Sequence, residues 1–191
     1  MEFCNYLFHN IHKLHKETRH VLPIQVLGAG HEKITTRSYY WDNKSLREDK
    51  EYLIMQYTLE GAGSIEFTRN GEKVRQRITK DTMFVVSSEM EYKYWHEAPD
   101  PAWTIYWIML SGPYARSVGR IVRKSGPLFE LGLDAPVIQL LSGLLTRLNN
   151  RVFIDTYSLS TFGYEFLTQF YKFVSRSENG VSPSASYDFI Y

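Results

Sequence analysis

Two stretches set the pattern of this chain. Residues 51–63 read EYLIMQYTLEGAG and residues 103–113 read WTIYWIMLSGP. Each alternates large apolar with polar or small residues, is rich in aromatic and branched side chains, and stops at glycine, which is how a strand reads in sequence. Short runs of the same kind extend from residue 21 to about 110, among them VLPIQVLGAG, HEKITTRSYYW, GSIEFTRNG, KVRQRITKDTMFVVSS and EYKYWHEA, divided by Gly, Pro, Asn, Asp and Ser. Seven or more closely spaced strands predict a sandwich or jelly-roll barrel. Within this region Arg69-Asn70-Gly71-Glu72 places an Asn-Gly pair between two alternating runs, a tight hairpin turn.

After Gly112 the period changes from two to that of a helix. Ser111 and Pro113 stand where an N-cap and an early helical proline belong, and Tyr114 to Lys124 is helix-compatible. Asp134-Ala135-Pro136 signals a second start. Val137, Ile138, Leu140, Leu141, Leu144, Leu145 and Leu148 then recur at helical spacing, with Gln139, Ser142, Arg147 and Asn149 on the other side. A third amphipathic run begins near Asp155 and carries Leu159, Phe162, Phe166, Leu167, Phe170, Phe173 and Val174. The helices are therefore expected near 113–124, 136–149 and 157–175, the last two pairing as an antiparallel hairpin. Stripes this rich exceed what one barrel covers, so Leu140, Leu141, Leu144, Leu145 and Leu148 are the candidate dimerisation residues of a homodimer.

The chain divides on this reading into an N-terminal arm (1–20), a ligand-binding barrel (21–110), a helical dimerisation region (111–176) and the start of a linker (177–191). The arm holds His9, His12, His15 and His20 and is expected to lie over the barrel mouth as a lid. SRSENGVSPSAS at 175–186 is nearly devoid of apolar groups and reads as a linker to a further domain.

Composition narrows the function. The 191 residues are 43% hydrophobic, enough for one sizeable core. The net charge of +1, from 22 basic and 21 acidic residues, supplies no field that would draw nucleic acid to this chain by itself. A single cysteine, Cys4, excludes an intrachain disulfide, no basic segment and apolar run marks secretion, and no window reaches the ~20 apolar residues of a membrane helix. A cytoplasmic protein is the expectation. No GxSxG, glycine-rich phosphate loop, HExxH or CxxC occurs, so nucleophilic, nucleotide and zinc chemistry lack their usual local signatures. A barrel can house a metal on His-x-His and a glutamate. His20, His31 and His96 form no such pair, and neither a metal nor another cofactor is expected. The carboxylates fall at strand ends or outward positions, with Asp81 in a turn, and yield no catalytic pair.

What stands out is 14 Tyr and 4 Trp, gathered in Tyr39-Tyr40-Trp41, Tyr92-Lys-Tyr94-Trp95-His96 and Trp103-Thr-Ile-Tyr106-Trp107. Residues two apart in a strand share a face, so Tyr92, Tyr94 and His96 look one way, as do Trp103, Ile105, Trp107 and Met109. Phenol and indole groups inside a barrel need polar partners, and a cluster of them suits a pocket for a sugar or another small polar metabolite.

The ordered set Tyr52–Gly63, Asp81–Ser88, Tyr94 and Trp103–Pro113 resembles the N-terminal effector-binding domain of AraC-family transcription regulators, over roughly residues 20–176. The resemblance implies a cupin-like jelly-roll barrel followed by an antiparallel helical hairpin, mainly β with C-terminal helices. It implies a small-molecule effector, with a carbohydrate as leading class, a homodimer, no enzymatic activity, and DNA contact only through a helix-turn-helix domain beyond the linker, the chain being expected to be cut from a longer protein. Positions that touch the effector in the arabinose-sensing member map onto Arg47, Tyr92, Tyr94, Ile105 and Trp107. The competing expectations are a cupin-type enzyme such as a sugar isomerase, which needs a convergent acid–base or metal set, and a lectin-like or storage protein.

Overall fold

The computed structural model describes residues 22–45, 51–97, 101–150, 152 and 155–178. The arm at 1–20, Arg47 and the linker beyond 178 lie outside the described residues. Nine strands appear in the order β1 (Gln25–Ile34), β2 (Tyr40–Asp42), β3 (Leu53–Glu60), β4 (Ala62–Arg69), β5 (Glu72–Thr79), β6 (Thr82–Ser87), β7 (Tyr92–Trp95), β8 (Trp103–Ser111) and β9 (Leu128–Glu130). Among the described residues three α-helices follow the main strands: α1 (Pro113–Ser125), α2 (Pro136–Asn149) and α3 (Thr156–Glu178). The helix positions read from periodicity hold, with α3 ending three residues beyond the expected 175.

The strands form two sheets, β1-β8-β3-β6-β9 and β2-β7-β4-β5, whose recorded pairings are all antiparallel. The hairpin at Asn70-Gly71 is the predicted one: both residues take positive φ, 53° and 83°, as a primed turn demands, and Arg69 pairs with Glu72 across it. Asp81 also takes positive φ, 63°, which a short polar side chain tolerates. Its carboxylate accepts the Tyr57 hydroxyl at 2.8 Å rather than bonding only its own turn.

The five-stranded sheet departs from simple alternation. From Leu53 to Thr58 every residue of β3 is buried, and so is all of β6. One face looks into the barrel and the other is covered by the helices. Gly119 of α1 lies against Ser87 and Leu53, while Gly163 of α3 lies against Ile24 and Val26, so small residues let the helices approach the sheet closely. Ser160 fixes α3 to the start of β1 by donating to the Ile24 carbonyl at 2.7 Å. The N-termini correct the sequence reading in one case. Ser111 ends β8, and Gly112 with φ 107° is the N-cap of α1, without a side-chain cap. For α3, Asp155 accepts the backbone N–H of Tyr157 and Ser158 at 2.9 Å each.

The leucine stripe of α2 is largely consumed inside the chain. Leu141, Leu144 and Leu145 are buried, with Leu140 and Leu148 partly so. β9, absent from the sequence reading, pairs with β6 through Thr82–Glu130, Met83–Phe129 and Phe84–Leu128. Its three residues carry no periodicity long enough to announce a strand.

Candidate functional site

The inner face of the large sheet is set by register. Gly30, Trp107 and Gln56 stand in one row across β1, β8 and β3, with Phe84 of β6 beyond them. The next row holds Gly28, Met109 and Ile54. Alternation sends these side chains into the barrel, and at Gly28 and Gly30 there is no side chain to fill the space. A Cβ on Gly30 would stand 2.5 Å from Trp107 Nε1, so glycine there is what lets the indole lie flat across β1.

Opposite this wall, the second sheet contributes Trp41 of β2 and Tyr94 of β7, with Tyr39 in the segment leading into β2. Trp41 and Tyr94 are stacked at 6.3 Å and 15°, and Tyr94 meets Phe84 across the sheets at 4.8 Å. Trp103 closes one end of the barrel: it is fully buried, donates to Thr58 Oγ1 at 3.0 Å, and rests where Gly63 has no side chain. Between these walls lies a cavity of about 550 Å³, lined by Glu32, Tyr39, Trp41, Ile54, Gln56, Tyr94, Trp107 and Met109. That volume suits a small organic ligand.

Its polar groups are few and placed. Trp107 Nε1 donates to Glu32 Oε1 at 2.8 Å. The Tyr39 hydroxyl donates to Gln56 Oε1 at 3.4 Å. Gln56, 1% exposed, leaves its amide Nε2 with no partner. Burial raises the Tyr39 phenol above its ordinary range, the Glu32 charge adding to the effect, and burial likewise raises Tyr94. Both phenols are thus neutral hydrogen-bond donors at physiological pH. No lysine, arginine or histidine is among the described residues of the wall.

Of the expected effector-contact residues, Tyr94 and Trp107 line this cavity together, with Tyr39, Trp41 and Met109, which the sequence also singled out. Tyr92 and Ile105 are buried beside it but are not part of its wall: Tyr92 stacks behind Tyr94 at 6.2 Å and donates to the Tyr52 hydroxyl at 3.4 Å, and Ile105 sits between Trp103 and Trp107 on β8. Glu32 and Gln56 were missed. Their one signal is parity, Glu32 two residues from Gly30 and Gln56 two from Ile54, and it tells only once the inner face is known. His96 is held between two backbone carbonyls, Thr36 at 3.4 Å and Pro101 at 3.1 Å.

The AraC-like ligand binding domain family matches residues 34–167, a stretch that contains most of the barrel and the helices packed on it. The chain belongs to that family. No curated protein matches the sequence. Among solved structures it is similar to apo ToxT K231A from Vibrio cholerae, at 12% identity and TM-score 0.48, over 84% of this chain and 59% of that one. It is also similar to the AraC-like transcriptional activator CuxR, at 14% identity and TM-score 0.47, over 87% of this chain and 54% of that one. A further similar structure is ToxT from V. cholerae O395 bound to (E)-4-(8-methylnaphthalen-1-yl)but-3-enoic acid, at 11% identity and TM-score 0.44, over 86% of this chain and 60% of that one. This AraC-like domain thus spans under two thirds of the regulators it resembles. None of its described helices is long and apolar enough to cross a membrane.

Proposed function

We propose that this chain is the effector-sensing and dimerisation part of a cytoplasmic, bacterial AraC-type transcription regulator, with no catalysis of its own. A small molecule enters the barrel and biases a tethered DNA-binding domain. The observation that carries the reading is the cavity of about 550 Å³ whose wall holds a buried amide donor, Gln56 Nε2, with no partner. An unmade buried hydrogen bond costs about 1–3 kcal/mol, so an unpartnered amide on a residue of the cavity wall calls for a reason. Flat faces of Trp41, Tyr94 and Trp107 suit a carbohydrate or another compact polar molecule, and the phenol oxygens of Tyr39 and Tyr94 add polar atoms to the wall. Binding regulates only through different affinity for two arrangements of the whole regulator.

The enzyme alternative needs convergent ligands or an acid–base pair. Among the described residues no group of three His, Cys, Asp or Glu stands close enough to hold a metal, and the cavity wall offers one carboxylate. For dimerisation, the supporting feature is a groove of about 650 Å³ between α2 and α3, in which Leu140 and Phe162 remain only partly covered.

A thermal-shift screen of sugars and related metabolites, run in parallel on the wild type and Trp107→Ala, tests the sensing reading. A compound that raises the melting temperature of the wild type alone supports it; equal stabilisation of both places binding elsewhere and overturns it.

A further inference from the structure

We infer that the cavity takes a protonated amine that also carries a hydroxyl or carbonyl group. The inference rests on the effector-pocket reading above and narrows it to a charge class. Glu32 brings a carboxylate into the wall, and the donor that holds it, the Trp107 indole at 2.8 Å, is neutral. No cationic side chain among the described residues lines the same space. A ligand that fills the cavity displaces the water that solvates this carboxylate, and a charge losing its solvent without a counter-ion resists burial. An ammonium group supplies that counter-ion.

The rings favour the same occupant. Trp107, Trp41, Tyr39 and Tyr94 present π faces or edges to one volume, and a cation within about 6 Å of such a face is attracted by the ring quadrupole. Gln56 adds the second requirement. Its Oε1 is engaged by the Tyr39 hydroxyl, and its Nε2, inaccessible and without an acceptor, would turn into the cavity to meet a ligand oxygen. A ligand carboxylate would provide one only by placing a second negative charge in the cavity beside Glu32, with no described cation to pair either. A hydroxyl or carbonyl provides it without that repulsion. Neutral sugars satisfy Gln56 and donate hydroxyls to Glu32, but they bring no countercharge to it.

The test is isothermal titration of the full chain at neutral pH with sets that hold the skeleton nearly constant and change the charge: tyramine, tyrosol and 4-hydroxyphenylacetate, and separately glucosamine and glucose. In a set that binds, the amine is expected to bind at least ~10-fold tighter than the neutral compound, with the acid weakest. Glu32→Gln keeps an oxygen for the Trp107 N–H and should erase the amine's advantage over the neutral compound. An acid or neutral compound that binds as tightly as its amine overturns the inference and leaves the sensing reading standing, provided Trp107→Ala abolishes that binding. An amine preference that persists in Glu32→Gln also overturns it. If no compound binds the wild type, or all bind Trp107→Ala equally well, both readings fall. Should Glu32→Gln lower the ligand-free melting temperature, the ranking on the wild type decides alone.

Discussion

Trp107 of β8 reaches over Gly30 of the neighbouring strand, its Nε1 lying 2.5 Å from where a Cβ would be, and in that position its N–H meets Glu32 Oε1 at 2.8 Å. The indole, the carboxylate and the missing side chain are therefore one device, and each part has a separate consequence.

Gly30→Ala is expected to lower stability by about 1–3 kcal/mol, because the methyl must expel a rigid ring from a packed wall. It should also abolish any Trp107-dependent ligand response. Gly143 on α2 is the control: nothing lies within 4 Å of its missing Cβ, and Gly143→Ala should stabilise by about 0.5–1 kcal/mol. Urea unfolding of the two variants checks both signs. A neutral Gly30→Ala would mean that the indole has another place to go.

Gln56→Leu removes a buried donor that has no partner while keeping most of the side-chain volume. The ligand-free protein should change by no more than about 1 kcal/mol, because the unpaired donor disappears together with the long 3.4 Å bond that Oε1 accepts from the Tyr39 hydroxyl. Effector affinity should fall in the same variant. Chemical denaturation with and without a bound hit separates the two effects, and a large loss of ligand-free stability would show that the amide is structural.

Four tyrosines predict alkaline instability. Burial raises the phenols of Tyr39, Tyr92 and Tyr94 above their ordinary value of 10.0, and burial raises Tyr57 too, reinforced by its hydrogen bond to Asp81. Above pH 10 the unfolded chain releases these protons and the folded chain keeps them, so unfolding gains on folding as pH rises, at about 1.4 kcal/mol per pH unit per residue. At neutral pH all four are protonated in both states and the linkage vanishes. Unfolding free energy measured from about pH 8 to 11 should be flat and then fall, with a late burst of phenolate absorbance at the transition. A flat profile throughout would contradict it.

Dimerisation is tested at Leu140, which lines the α2–α3 groove, rather than at Leu144, which is 4% exposed and already packed within the chain. Leu140→Arg should convert a dimer to a monomer in light scattering at tens of micromolar while changing the unfolding free energy by about 1 kcal/mol or less. A wild type that is monomeric at that concentration removes the proposal.

Local pattern alone determined the strand-rich character of residues 21–110, the Asn70-Gly71 turn and the three helices, though not β9, because periods of 2 and 3.6 and the φ > 0 demand of a primed turn are properties of a few consecutive residues. It also placed Tyr94 and Trp107 among the aromatic residues to watch. Only the tertiary structure decided which of them share a cavity. β3 and β6 are buried on both faces, so hydrophobicity could not say that Ile54 and Gln56 look inward while Leu53 and Met55 meet the helices. Glu32 and Trp107 are 75 residues apart and meet because β1 pairs with β8 in the register that sets Gly30 against Trp107. The leucine stripe of α2 misled in the same way: periodicity shows that a face is apolar, and packing alone decides whether the chain's own sheet, its neighbouring helix or a second molecule covers it.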